Sequence, residues 1–237
     1  MKKSIVFIAL LIIATSCQAQ KRIKGNGKIT SITRTTSDYN TVSFAGPFDY
    51  ILISGKEGLI KIEGEENLLQ YIVTEVKNGN LNIKTENNTN LQTSRNQTIK
   101  ITVPFEKISA ASLTGSGDLW NESVIEAESF KVSVTGSGDA KLKINATSTE
   151  ASVTGSGELD VKGKTDNLKV SVTGSGEFKG MELNAKNVDV SVSGSGDAKV
   201  FCNGHLKARV TGSGDIKYKG NPKTEDTKVA GSGSISN

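Results

Sequence analysis

The sequence is short of the side chains from which most acid–base and metal sites are built. It contains one histidine and two cysteines in 237 residues. A metal site on Cys202 and His205 would need two further ligands at a suitable spacing, and the sequence offers none. Cys202 is in phase with Ala198 and Val200, so we predict that it faces the core as a small apolar side chain. No metal or cofactor is predicted.

An excess of one charge is also missing. The 29 basic residues oppose 25 acidic ones, and without Lys2 and Lys3 the balance is 27 against 25. This excludes the strongly basic surface that nucleic-acid binding requires, so no nucleic-acid partner is predicted. Aromatic residues make up 5% of the chain, which has 25 glycines. Such a composition is typical of a fold made of small side chains and turns.

Only the start of the chain has a long apolar run. Two lysines precede the run from Ile5 to Ala14, which is too short to span a bilayer as a helix and is typical of a secretory signal peptide. The sequence Ala14-Thr15-Ser16-Cys17 resembles a bacterial lipobox, so residues 1–17 are predicted to be a lipoprotein signal peptide with lipid attachment at Cys17. Cleavage before Gln20, which would give a secreted protein, is the alternative.

The predicted processing has two consequences. Cys202 would be the only cysteine left besides the lipidated one, which excludes an intramolecular disulfide. Residues 18–22 carry no acidic run of the kind that marks surface-exposed lipoproteins. The exported protein is therefore predicted to be anchored to the outer membrane, at its periplasmic face rather than at the cell surface.

A Gly-Ser-Gly turn recurs seven times in the C-terminal half of the chain. Successive copies are separated by 21, 19, 19, 20, 18 and 19 residues. A fixed period of this length indicates a repeat architecture. The glycines of the seven turns, predicted to be structural, are Gly115 and Gly117, Gly136 and Gly138, Gly155 and Gly157, Gly174 and Gly176, Gly194 and Gly196, Gly212 and Gly214, and Gly231 and Gly233.

The residues around each turn alternate between apolar and polar, which is the period of a strand. A phosphate-binding glycine loop would open a helix instead, and the acids that follow six of these turns would repel phosphate. Two short strands in about 19 residues fit one coil of an all-β solenoid, in which equivalent residues stack about 4.8 Å apart. We predict about seven such coils over residues 105–237, with a positive φ at both glycines of each turn.

Residues 18–104 are predicted to be a less regular, β-rich part of the same solenoid, with a soft boundary near Pro104. Residues 43–50 repeat the order of turn, acid and apolar residue as a degenerate copy. Strands are predicted at 50–54, 59–63, 81–84 and 99–103. A helix is predicted at 65–72, and a polar surface loop at 85–97.

The residues YNTVSFAGPFD (39–49), NLLQYIVTEVKNGNLNI (67–83) and IKITVP (99–104), followed by the SVTGSGD series, occur in this order. The chain thereby resembles the head GIN domain family, described as auto-transporter adhesins, over nearly all of its predicted mature length. The resemblance implies a right-handed parallel β-helix of the pectate-lyase type from Bacteroidota or their relatives. It also implies that no catalytic residues of that superfamily are present, and none is predicted here.

Export, the solenoid and the lack of converging acid–base residues favour a non-enzymatic cell-envelope protein, an adhesin or a module that binds a glycan or a surface. The expected partner is an envelope glycan or a cell-surface protein, with membrane contact through the lipid anchor only. The alternative is a polysaccharide lyase or hydrolase that uses Arg95, Lys199 or Arg209. A third interpretation is ice or crystal binding by outward Ser and Thr pairs, from Ser133 and Thr135 to Ser191 and Ser193.

The acids that follow the turns are expected to stack in one column, and lysines two residues further on are expected to neutralise them. The acids are Asp118, Asp139, Glu158, Glu177, Asp197 and Asp215, and the lysines are Lys141, Lys179, Lys199 and Lys217. One coil carries Asp160 in place of the lysine. If a cation binds this face, the sequence therefore favours a weak site at Glu158 and Asp160.

Overall fold

A computed structural model describes residues 21–237, so the predicted signal peptide and Cys17 lie outside the described residues. Nearly every element of the described chain is a strand. The N-terminal elements are β1 (Lys21–Lys24), β2 (Ile29–Thr35), β3 (Thr41–Ala45), β4 (Asp49–Ser54), β5 (Leu59–Glu65), α1 (Glu66–Leu69), β6 (Ile72–Lys77), β7 (Asn80–Thr85), β8 (Thr89–Gln92) and β9 (Lys100–Phe105).

The remaining strands form the repeat, and most of the breaks between them are Gly-Ser-Gly turns. They are β10 (Ala110–Gly115), β11 (Asp118–Asn121), β12 (Ile125–Gly136), β13 (Asp139–Gly155), β14 (Glu158–Gly174), β15 (Glu177–Gly194), β16 (Asp197–Cys202), β17 (His205–Gly212), β18 (Asp215–Lys219), β19 (Thr224–Gly231) and β20 (Ser234–Ser236).

Successive coils pair in parallel with equivalent residues in register. Gly136 pairs with Gly155 and Gly155 with Gly174, while Val153 lies between Val134 and Val172. These three valines are each 1% exposed, because every coil covers the apolar side chains of the one before it. The predicted all-β solenoid of about seven turns is confirmed.

Each coil turns a corner where the alternation of buried and exposed residues breaks. In β13 the buried residues run to Ile144 and resume at Thr149, and the four residues between them are not buried. A gap of five residues reverses the phase of a strand, whose side chains alternate with period two, so the chain bends there to keep its apolar side inward. The bend lies at the same place in β14, near Gly163, which has a φ of 120°.

The two glycines of each turn are required for different reasons. The first has a positive φ in every copy, from 107° at Gly174 to 133° at Gly231. The second lies outside the left-handed region, so the prediction of a positive φ at both glycines was wrong. The second glycine is instead packed against the coil below. A Cβ on Gly176 would lie 2.5 Å from the carbonyl oxygen of Gly157 and 2.6 Å from Cγ1 of Val153.

The degenerate copy at residues 43–50 is a coil of the solenoid, as predicted. Strands β3 and β4 pair in parallel with β10 and β11, and Asp49 lies beside Asp118 at the start of the acid column. On their other side they pair with β7 and β9. The chain therefore runs to the N-terminal end of the rod over residues 55–109 and comes back beside β3 and β4 at β10, where the regular coils begin.

Antiparallel pairing closes this N-terminal end. Strand β5 pairs with both β2 and β9, and β6 pairs with β7, all antiparallel. Reversing the strand direction lets short connections cross the end of the core. A single buried cluster runs from Tyr39 in this part to Tyr218 in the last regular coils, and strand β9 continues through Pro104, the predicted soft boundary.

The four strands predicted in the N-terminal part are present as β4, β5, β7 and β9. The predicted helix is confirmed but is only one turn long, because its buried pair Leu68 and Leu69 leads straight into β6. The prediction of a surface loop at 85–97 was wrong in part. Strand β8 forms within it and pairs in parallel with β1, which buries Leu91 to 8% exposure. Within residues 21–237, no helix has the length and apolar character that a membrane span requires.

Buried Glu65 connects the segments of the N-terminal end. It is 1% exposed, and its carboxylate accepts hydrogen bonds from the backbone N–H of Gly27 at 2.6 Å and from the N–H and hydroxyl of Ser94 at 2.8 and 2.6 Å. Burial by itself raises a carboxyl pKa, but here the bonds from Ser94 and Gly27 outweigh it and hold the pKa of Glu65 below its ordinary value.

The packing of the second glycine predicts a large difference between neighbouring alanine substitutions. Gly176→Ala should destabilise the fold by about 1–3 kcal/mol because the new methyl group overlaps the coil below. The control Ser175→Ala alters an exposed side chain and keeps the backbone bond from Ser175 to Gly155, so it should change stability little. Thermal unfolding followed by circular dichroism measures both, at about 2–4 °C per kcal/mol. Equal melting temperatures for the two variants would contradict the packing argument.

The lowered pKa of Glu65 predicts an acid-dependent stability. Ionised Glu65 stabilises the fold above the ordinary glutamate pKa of about 4.3, and this contribution is lost as the pH falls through the lower folded pKa. Urea unfolding from about pH 5 to pH 3 should therefore show a steeper loss for wild type than for Glu65→Gln. Exposed Glu66→Gln is the matched control and should keep the wild-type slope. The assignment fails if Glu65→Gln also keeps it.

Candidate binding surfaces

The strand segments that follow the turns present a regular charged surface, which we call the ladder face. Its acid column runs in register from Asp118 to Glu177 and continues to Asp215. Several carboxylates accept a backbone N–H from the next coil: Asp139 from Glu158 at 3.1 Å, Asp197 from Asp215 at 2.9 Å and Asp215 from Ser234 at 2.8 Å. These bonds help offset the repulsion between neighbouring carboxylates.

The predicted lysine partners are present in the middle of the ladder face. Lys179 Nζ lies 2.5 Å from Glu158 and 3.5 Å from Glu177, and Lys199 Nζ lies 2.8 Å from Glu177. Burial raises the pKa of Glu177, but the two lysines outweigh it and hold the pKa below its ordinary value. Lys141 and Lys217 make no such pair among the described residues, so the predicted ladder is confirmed only in its central coils.

The residues predicted as a weak cation site lie on this face. Glu158 is already paired with Lys179, while burial, with a smaller effect from Glu182 and Glu158, raises the pKa of Asp160. Within the part of the chain that the structure describes, no group of three or more His, Cys, Asp or Glu side chains is arranged to hold a metal ion.

The residues considered for an enzyme lie on separate elements. Arg95 is in an exposed turn between β8 and β9, Lys199 is on β16 and Arg209 is on β17. Lys199 is paired with Glu177, and Arg209 is paired with Asp226 while also donating to the carbonyl of Ala208 at 3.0 Å. The structure does not bring these three side chains together.

The Ser and Thr pairs form the columns expected on the outer side of the strands that precede the turns. Ser133, Ser152, Ser171 and Ser191 are in register, and Arg209 occupies the next position in their column. Arg209 and its partner Asp226 interrupt the hydroxyl grid at that coil. In the other direction the hydroxyl pairs continue to Ser112 and Thr114, so the grid spans five coils before Arg209.

The side chains of Cys202 and His205 lie on opposite sides of the strand layer, Cys202 toward the core and His205 toward solvent. Cys202 is fully buried, as predicted, and its Sγ donates to the carbonyls of Lys186 and His205 at 3.5 and 3.4 Å. Burial raises the pKa of this thiol, which keeps it protonated and unreactive. The imidazole of His205 is exposed, and its Nδ1 lies 2.5 Å from Oγ1 of Thr224.

Two adjoining cavities follow the corner at which each coil bends, and together we call them the corner groove. The first has a volume of about 610 Å³ and the second about 390 Å³. The first is lined by Glu126, Ala127, Asn145, Ala146, Thr147, Lys164, Thr165, Asp166, Asn184, Lys186 and Asn203, and the second by Ser148, Asn167, Leu168, Lys169, Asn187, Val188, Asp189, His205, Leu206, Lys207, Thr224 and Asp226.

Stacked amides form the floor of the corner groove. Asn187 Nδ2 donates to Oδ1 of Asn167 at 3.0 Å, and Oδ1 of Asn187 accepts the backbone N–H of His205 at 3.2 Å. Asn145 Nδ2 donates to Oε1 of Glu126 at 2.8 Å. Each amide satisfied in this way keeps further donor or acceptor capacity toward solvent. The groove thus offers a row of fixed hydrogen-bonding groups that repeats with each coil.

The charged groups in the first cavity are balanced, and all but Glu126 are uncommitted. Lys164, Asp166 and Lys186 are exposed, and none of these side chains is held by a hydrogen bond or ion pair with a described residue. With Glu126 they make two positive and two negative charges. Such a lining favours a neutral, hydroxyl-rich ligand over a strongly charged one.

The corner groove was not among the sites predicted from the sequence. The signal for it is present: residues 145–148 break the alternation of their strand, and equivalent residues in the next coils are again polar. The break in alternation predicts an accessible groove only if it is already known that the chain bends at these residues. The turn glycines, which were predicted to be structural, lie between the stacked strands of the solenoid and do not line this groove.

Comparison with known protein families identifies one match over most of the chain. The family described as "Putative auto-transporter adhesin, head GIN domain" matches residues 38–222. A comparison with curated proteins gives no match.

Solved structures from Bacteroidota share this fold. A "putative lipid binding protein" from Parabacteroides distasonis has 27% identity and a TM-score of 0.76, with 91% of this chain and 99% of that chain covered. A "putative adhesin" from Bacteroides fragilis has 21% identity and a TM-score of 0.84 over the same shares. A third, from Parabacteroides merdae, has 21% identity and a TM-score of 0.69, covering 91% and 98%.

Proposed function

The chain belongs to the head GIN domain family, and we propose that it is an exported, non-enzymatic protein of the cell envelope that binds a glycan along its corner groove. The observation that carries the proposal is the repeated row of fixed amides beside Lys164, Asp166 and Lys186, three charged side chains that no described residue holds by a hydrogen bond or ion pair. A polymer with a regular spacing of hydroxyl groups can contact one such row coil after coil.

The chemistry of the groove suits a saccharide better than a charged or apolar polymer. Amides and carboxylates accept hydrogen bonds from hydroxyl groups, and lysine and amide N–H groups donate to them. Each of the two cavities contains two lysines and two acids, so neither attracts a polyanion. Because the name of one relative refers to lipid binding, it matters that the first cavity of this groove exposes more polar than apolar surface.

A non-enzymatic role is favoured by how the cationic side chains are used. A lyase needs a base with a free lone pair or an uncommitted cation beside its substrate. Lys199 and Arg209 are instead held in ion pairs along the wall, and Arg95 lies on an element distant in sequence from both. These contacts support a structural role for Lys199 and Arg209.

We further propose that Cys17 carries the lipid anchor that holds the protein at the periplasmic face of the outer membrane. Cys17→Ser should release the protein into the soluble fraction, because acyl chains would be its only attachment. Cell fractionation and labelling with a palmitate analogue measure this. Cys202→Ser, which alters a buried thiol, is the matched control and should stay in the membrane fraction. Equal labelling of Cys17→Ser and wild type would rule out lipidation at this residue.

The groove is tested by glycan-array binding of the mature chain. The double variant Asp166→Ala/Lys186→Ala should lose at least about tenfold in affinity, because it removes two uncommitted groups of the groove. The control Asp38→Ala/Lys219→Ala removes the same two charges from exposed positions elsewhere and should bind like wild type. If no glycan binds, or if both double variants bind equally, the proposed site is wrong. Capture of an envelope protein that depends on the groove, without glycan binding, would replace the glycan by a protein partner.

A further inference from the structure

Trp120 interrupts the charged pattern of the ladder face. It is the only tryptophan of the chain and stands at the outward position of β11 between Ile51 and Lys141. In the following coils this position is occupied by Lys141, Asp160, Lys179, Lys199 and Lys217. The indole is half-buried on the outer wall. The ring thus lies outside the core, with buried Ile51 on one side of it and the charged column on the other.

Two small cavities meet at this ring. One of about 230 Å³ is lined by Asp118, Leu119, Trp120, Asp139 and Lys141. The other, of about 130 Å³, adds Asp160 and Lys143 among its lining residues and shares Trp120 and Lys141 with the first. Trp120 and Lys141 thus line both cavities, whose other lining residues include carboxylates and lysines.

The groups around the ring have hydrogen-bonding capacity to spare. Lys141 forms no ion pair with any described residue, unlike Lys179 and Lys199 in the same column. Asp118 lies in register between Asp49 and Asp139, so two neighbours of like charge flank it. Burial, followed by the charges of Asp49 and Asp139, raises the pKa of Asp118. A ligand that donates hydrogen bonds to this carboxylate would relieve both effects.

We propose that Trp120, Lys141 and Asp118 form a subsite for one pyranose ring of a neutral or amino saccharide. A pyranose with equatorial hydroxyl groups has a flat C–H face, and the negative face of the indole attracts its polarised C–H groups. Its hydroxyl groups lie around the ring edge, where Asp118 accepts and Lys141 donates. A nucleotide or uronate is disfavoured in the cavity that contains Asp118, because Asp118 and Asp139 there outnumber Lys141 and would repel its anionic group.

This subsite is separate from the corner groove and does not rest on it. Trp120 contributes to neither cavity of the groove. The two sites are distinguished by variants, because Asp166→Ala/Lys186→Ala leaves the side chains around Trp120 unchanged.

The single tryptophan makes the test direct, because all indole fluorescence of the chain comes from the proposed site. The mature protein is titrated with three trisaccharides: neutral triacetylchitotriose, cationic chitotriose and anionic trigalacturonate. We expect saturable quenching or a blue shift with the neutral or the cationic sugar, and at least about tenfold weaker binding of the anionic one. No fluorescence change with any of the three, or tightest binding of trigalacturonate, would overturn the proposal.

Variants analysed by calorimetry locate the binding. Trp120→Ala should lower the affinity for the trisaccharide at least about tenfold, and Lys141→Ala should lower this affinity by a smaller factor. The matched control is Lys217→Ala, which removes an unpaired lysine of the same column far from the indole. Circular dichroism verifies folding, and Trp120→Phe serves if Trp120→Ala is unfolded. If both Lys141→Ala and the tryptophan variant bind the trisaccharide as strongly as wild type does, the sugar binds elsewhere and the subsite is refuted.

Discussion

The structure depends on the close approach of one backbone to the next at the Gly-Ser-Gly turns. The N–H groups of Ser156 and Gly157 both donate to the carbonyl of Gly136, at 2.8 and 3.0 Å, and the same pair of bonds recurs in most of the other turns. They bring the second glycine so near to the coil below that any side chain would overlap it. Because every coil is fixed to its neighbour at this point, the strands on either side stay in register and the apolar columns remain continuous.

A wall built from identical coils leaves little room for a specific site, so the places where the repeat departs from itself are informative. At the corner, residues 145–148 leave the alternation that the core imposes, and their side chains are free to vary. At Trp120 an aromatic ring replaces the lysine or acid that the column carries elsewhere. Both departures are on the outside, where a substitution does not disturb the stacking of the next coil.

Most of the fold was predictable because its determinants are local. The period of the turns and the phase of residues such as Val170 and Val172 are properties of short stretches, and the solenoid repeats them. The N-terminal end was not predictable in the same way. Its antiparallel strands pair residues far apart, as when Ile32 lies opposite Ile62, and strand β8 forms because β1 lies beside it. Such pairing depends on tertiary contacts that no local pattern specifies.

The candidate sites show the same division between local and non-local information. The acid and lysine columns follow from the repeat, yet the hydrogen bonds that the backbone of the next coil donates to these carboxylates appear only once the coils are stacked.

The two ends of the rod also differ in kind. The N-terminal end is covered by antiparallel strands, whereas β19 is exposed and carries Glu225 in register with Leu206 of the core column. A further coil stacked there would bury that carboxylate, so this edge is protected from pairing by charge rather than by cover.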